Sequence, residues 1–134
     1  GIGAAIATGR CVITVAGDGD FLMTGQELAT ATQHGAKSII VLLNNGMYGT
    51  IRMHQEREYP EHVSGSSLSN PDFVGLAKAY GYEGVRIEKT EAFEAAFQAA
   101  LRSEQGTLIE VMQNPDVISS RIRLSQVRAN ALKR

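Results

Sequence analysis

The stretch from residue 12 to residue 49, VITVAGDGDFLMTGQELATATQHGAKSIIVLLNNGMYG, decides how this chain folds. Residues 12–16 (VITVA) are a short run rich in β-branched side chains that ends at Gly17. That is the pattern of a buried strand whose carboxyl end opens into a loop. Thr24-Gly25-Gln26-Glu27 has the spacing of a capping box, in which Thr24 bonds the amide of Glu27 and Glu27 reaches back. The helix so opened is expected to run to about His34, with Gly35 as its stop. Residues 38–43 (SIIVLL) read as a strand apolar on both faces. Such strands belong to parallel sheets covered by helices on both sides, and strand, helix and strand in this succession make a βαβ unit.

Outward from that core the alternation continues. After Asn44-Asn45-Gly46 a short helix is expected over residues 47–56, then a polar, Gly/Ser-rich loop over 57–70. Asn70-Pro71 reads as a helix cap followed by proline at the first helical position. Phe73, Leu76, Ala77 and Tyr80 then share a face, and Gly81 ends the helix. Residues 83–87 are a candidate strand, Thr90 caps an amphipathic helix bearing Phe93, Ala96, Phe97, Ala100 and Leu101, and residues 107–112 (TLIEVM) form another strand. This order implies an α/β fold of three layers, α/β/α, around a mostly parallel sheet. Ligands in such folds sit beyond the carboxyl ends of the strands, which selects the loops expected at residues 17–24 and 44–49.

Composition narrows the class. The 134 residues, 43% apolar and 20% charged, suit one globular domain with one core. A net charge of −1 offers no broad attraction for nucleic acid or an anionic membrane. No apolar run approaches the length of a membrane span, and no signal peptide is visible. A single cysteine, Cys11, excludes an internal disulfide, so a reducing, cytoplasmic compartment is expected. The chain opens at Gly1 among small residues that read as a helix in mid-course, so the polypeptide is expected to begin further upstream.

The two selected loops carry what a magnesium–diphosphate site needs. Mg²⁺ takes oxygen ligands in octahedral geometry, usually one or two carboxylates with phosphates and water. Asp18 offers a carboxylate, and Gly17 and Gly19 beside it let phosphate approach the backbone. Asn45 offers a neutral amide oxygen, and the carbonyl of Met47 can turn toward the same ion. Gly46 and Gly49 keep that loop permissive, and the following helix would aim free amides at an anion. One carboxylate with two neutral oxygens leaves most of the ion's charge for the diphosphate.

Here the sequence resembles a family. The segment from residue 17 to residue 49 is similar to the thiamine-diphosphate signature, which runs from GDG to NN across an intervening helix and strand. Asp18 and Asn45 stand 27 positions apart, and the two metal ligands of that family are similarly spaced. The resemblance extends through Asn70-Pro71-Asp72-Phe73 and Ala79-Tyr80-Gly81, and lies closest to the acetolactate synthase-like group, decarboxylases and carboligases of 2-keto acids. It implies the C-terminal thiamine-diphosphate-binding domain, N-terminally incomplete, over residues 1–134. It implies Mg²⁺ held by the Asp18 and Asn45 side chains and the Met47 carbonyl, with Gly17, Gly19, Asp20, Tyr48 and Gly49 around the diphosphate. Asp20 departs from the Ser or Ala common there, so its amide is expected to face the cofactor and its carboxylate to turn away. The pyrimidine-binding and central domains, and the glutamate that activates the ring, would lie elsewhere, in the same or a partner subunit. The resemblance therefore implies a homo-oligomer, and isolated chains without turnover of a 2-keto acid.

Other chemistry-bearing residues have plainer readings. His34 suits a helix end, His54 a solvated helix face and His62 an exposed loop. Cys11 reads as a small buried hydrophobe, and the four methionines as packing residues. The tail over residues 117–134 has five basic and no acidic residues, and Val117, Ile118, Ile122, Leu124 and Val127 suggest that it docks on its own domain or a partner. Two competing classes are a non-catalytic binding or regulatory module of the same fold and a flavodoxin-like nucleotide-binding domain. The second lacks its GxGxxG after the first strand.

Overall fold

The computed structural model describes residues 1–133. It contains four strands, β1 (Val12–Gly17), β2 (Ser38–Asn44), β3 (Glu83–Ile87) and β4 (Thr107–Met112). Its helices are α1 (Ile2–Thr8), α2 (Asp18–Thr24), α3 (Leu28–Gln33), α4 (Gly49–Glu58), α5 (Phe73–Ala79), α6 (Phe93–Arg102) and α7 (Leu124–Ala131). The chain divides into two compact units: residues 1–44 with 70–112, and residues 45–69 with 113–134.

The first unit holds the whole sheet, four parallel strands in the order β1-β2-β4-β3. Strand β2 lies between β1 and β4, and all but one of its seven residues are buried, as its apolar run requires. Alternate residues serve opposite faces. Ile40, Leu42 and Leu108 join Phe21, Leu28, Ala31, Phe73, Ala77 and Tyr82 on one side. Ile39, Ile87 and Ile109 join Ala100 on the other, with Phe93 and Phe97 packed beside them. Each fully buried Leu, Ile or Phe stabilises the fold by roughly 1.5–3 kcal/mol, so two such clusters hold the three layers together. Covering is incomplete at β1, where Ile13 and Val15 remain 52% and 66% exposed.

Several boundaries differ from expectation. The loop expected at residues 17–24 is α2, which begins directly at Asp18. Its first turn is closed by the Asp20 carboxylate, whose Oδ2 accepts the Gly17 amide at 3.2 Å. Thr24 makes no side-chain cap. A single turn of 3-10 helix at Gly25–Glu27 joins α2 to α3, and a Cβ at Gly25 would lie 2.9 Å from the Phe21 ring. Helix α5 starts at Phe73, with Asp72 rather than Asn70 in the capping position, because the Asn70 side chain is engaged elsewhere. Cys11 is exposed rather than buried, and Met23 and Met112 are also exposed. Among the described residues no helix is long and apolar enough to cross a membrane.

In the second unit α7 packs on α4. Leu124 is buried, so the tail docks on its own chain as its apolar residues suggested. The strongest polar tie is between Glu56, fully buried, and Arg128, whose Nε donates to Oε2 at 2.8 Å and whose second nitrogen donates to Oε1.

Candidate functional site

Strand β1 ends at Gly17, paired with Leu43 of β2, so Asp18 and Asn44 leave the ends of neighbouring strands. Asp18 is 2% exposed. Its Oδ1 accepts the Gly19 amide at 3.0 Å and its Oδ2 accepts the Asn70 side-chain amide at 2.7 Å. Asn70 also donates to Asn44 Oδ1 at 2.9 Å. Asn44 in turn donates to Glu110 Oε1 at 2.7 Å, and Arg86 Nε donates to Glu110 Oε2 at 2.7 Å. The hydrogen bond to Glu110, followed by its charge, raises the Arg86 pKa further above its ordinary value. A polar chain thus runs from β3 through β4 and β2 to the start of α2. Sequence reading missed Asn44, Asn70, Glu110 and Arg86 as parts of the site. The one local signal was a charged residue inside the apolar strand TLIEVM.

The remaining expected residues fall in the second unit and are described there alone. Asn45 Oδ1 accepts the Met47 amide at 3.1 Å, a local turn that Gly46 permits with a φ of +69°. Met47 is bridged to Ser67, and Tyr48 donates its amide to Ser66 O at 2.9 Å. The Tyr48 amide is therefore already committed within the unit. A Cβ at Gly49 would lie 3.0 Å from the Asn45 amide nitrogen, so glycine leaves that side chain its room.

In the first unit, the buried Asp18 side chain offers the carboxylate oxygen that a hard divalent cation takes. In the second unit, Asn45 Oδ1 and the Met47 carbonyl are neutral oxygens of the kind such an ion also accepts. The Asp20 carboxylate accepts the Gly17 amide within the first turn of α2.

Comparison with known proteins defines the class. The family model described as thiamine pyrophosphate enzyme, C-terminal TPP binding domain, matches residues 1–111. The chain belongs to this family of thiamine-diphosphate-binding domains. It is 39% identical over 104 residues to the acetolactate synthase large subunit of Parasynechococcus marenigrum, covering 76% of this chain and 17% of that protein. It is 35% identical over 122 residues to the acetolactate synthase large subunit of Haemophilus influenzae, covering 90% and 21%. The chain thus spans about a fifth of the length of these relatives. Among solved structures, the thiamine diphosphate-dependent 4-hydroxybenzoylformate decarboxylase of Rhodococcus jostii superposes with a TM-score of 0.78 at 36% identity, covering 84% of this chain and 22% of that one. The benzoylformate decarboxylase of Polynucleobacter necessarius gives 0.79 at 29% identity, covering 87% and 23%. The parallel α/β architecture is that of these neighbours.

Proposed function

We propose that this chain anchors the Mg²⁺–diphosphate end of thiamine diphosphate, as the C-terminal domain of an acetolactate synthase-like enzyme that decarboxylates or ligates 2-keto acids. The observation that carries this reading is the buried Asp18 carboxylate at the carboxyl end of β1, held by neutral donors on both oxygens. Asp18 and Asn45 would bind Mg²⁺ through their side chains, and Met47 through its carbonyl. Gly17, Gly19, Asp20, Tyr48 and Gly49 would border the diphosphate. The cofactor, when bound, supplies the electron sink for the reaction. This chain's residues bind and orient it. Asp18 fixes the metal, Asp20 holds the first turn of α2, and Gly49 makes room for the Asn45 amide. A pyrimidine-binding domain, from the same or a partner subunit, would complete the site in a homo-oligomer. The uncovered Ile13 and Val15 support a covering neighbour.

Equilibrium dialysis with thiamine diphosphate tests the reading. Uptake by the assembled enzyme should require Mg²⁺, disappear with a chelator, and fall at least a hundredfold in Asp18→Ala. Uptake that is indifferent to metal, or unchanged in that variant, would refute it. The isolated chain should show no turnover of pyruvate.

A further inference from the structure

The polar chain behind Asp18 has a direction, and the direction is informative. An arginine side chain only donates. Glu110, which accepts from Arg86 Nε on one oxygen, also accepts from Asn44 on the other, so Asn44 must turn its NH₂ group toward Glu110 and its oxygen away. That oxygen accepts from Asn70, which fixes the Asn70 NH₂ group on the side facing Asn44 and Asp18. Both hydrogens of that group are then used, one on each acceptor. Flipping either amide would set oxygen against oxygen. Asn70 Oδ1 is buried and has no partner among the described residues.

We infer that Asn70 is a positioning residue for Asp18: its amide locks the carboxylate at the end of β1, and Glu110, acting through Asn44, sets which way that amide faces. The inference rests on the Mg²⁺–diphosphate reading of Asp18 and adds residues to it. A carboxylate that must meet a metal gains from one rotamer and one acceptor state. A donor 52 positions away in sequence, itself oriented by a buried charge, supplies both. The competing role is that Asn70 merely satisfies the Asn44 and Asp18 oxygens within the fold. The two differ in what a substitution changes, because only a positioning role ties Asn70 to metal affinity.

The test is the Mg²⁺ concentration for half-maximal thiamine diphosphate uptake in the assembled enzyme. It is accompanied by the electron paramagnetic resonance spectrum of Mn²⁺ in place of Mg²⁺ and by the thermal unfolding midpoint without cofactor. Asn70→Ala should raise the half-saturating Mg²⁺ by roughly 10–100-fold, as loss of a ligand's hydrogen-bond partner does elsewhere. It should also broaden the Mn²⁺ spectrum. Glu110→Gln, which removes no group touching Asp18, should give a smaller rise in the same direction. Asn70→Ser, which keeps one donor, should recover part of the loss. Arg128→Met controls for destabilisation in the other unit and should lower the midpoint with unchanged metal dependence. Unaltered half-saturation and spectrum in Asn70→Ala, with metal-dependent uptake intact in the parent, would overturn the positioning role and leave the Mg²⁺–diphosphate reading standing. Metal-independent uptake by the parent protein would remove that reading, and this inference with it.

Discussion

Glu110 of β4 and Glu56 of α4 are both fully buried carboxylates, each joined to an arginine that is a little under half exposed, yet they end in different places. Glu56 spends both oxygens on Arg128 in a two-pronged pair, with a long contact of 3.4 Å from the Glu61 amide besides. It closes on itself and ties α7 to α4. Glu110 gives only one oxygen to Arg86 and offers the other to Asn44, and from there the order of donors and acceptors passes to Asp18. The first is a latch, the second a lever. The difference teaches that a buried ion pair reveals its role by whether its remaining lone pairs are used locally or handed on.

Substitutions can break that distinction. The largest effect on stability is expected from Arg128→Met, which strands the Glu56 charge. Removing one partner of a buried pair costs about 3–5 kcal/mol; the exposure of Arg128 places the expected loss at the lower end, read as a drop in urea midpoint. Replacing both partners, Glu56→Leu with Arg128→Met, should recover most of it. A double variant no more stable than Arg128→Met would show that the latch depends on more than the pair.

Glu110→Gln should follow with a smaller loss, about 1–3 kcal/mol for a buried polar group left imperfectly paired, because Arg86 can swing its guanidinium into solvent. Unlike the latch variants it should raise the Mg²⁺ requirement. Equal metal dependence in Glu110→Gln and Arg128→Met would erase the contrast.

Acid sharpens it further. The hydrogen bond from Arg128, opposed by burial, holds the Glu56 pKa below its ordinary value of 4.5. A carboxylate with a depressed folded pKa contributes stability that is present above the unfolded value and lost as pH falls through the folded one. Unfolding midpoints should therefore fall on acidification below about pH 4.5. That slope should flatten in the double variant Glu56→Leu with Arg128→Met. A slope that survives there assigns the acid sensitivity to other carboxylates. The smallest effect is expected from Asp20→Ala, which removes the acceptor for the Gly17 amide at the start of α2 and should cost about 0.5–2 kcal/mol.

How much of this was legible beforehand follows from the range of the forces involved. The strands read at residues 12–16, 38–43 and 107–112 stood out because short β-branched, apolar runs favour extended backbone, while residues 83–87 (EGVRI) carried only a weak signal because two of the five are charged. The start of α2 was missed because two acidic residues could cap a turn, and the Thr24–Glu27 spacing imitated the pattern that Asp20 and Gly17 fulfil. Asn before Pro is a strong local signal for a helix cap, and Asn70 does not serve as one. Its true acceptors lie 52 and 26 positions away. Cys11 and Met23 were expected inside on hydrophobicity alone, but a parallel strand at a sheet edge and a short helix leave room for both outside.

Residue order alone determined the α/β class, the family, and that Asp18 and Asn45 follow the first two strands, each beside a glycine, because these depend on periodicity and on side-chain chemistry within a few positions. Only the tertiary structure decided that Glu110 lies buried behind Asn44, that Asn70 faces Asp18, and that Glu56 closes on Arg128. Hydrogen bonds are made by groups within about 3 Å of each other, and which groups come that close is settled by how the strands and helices pack.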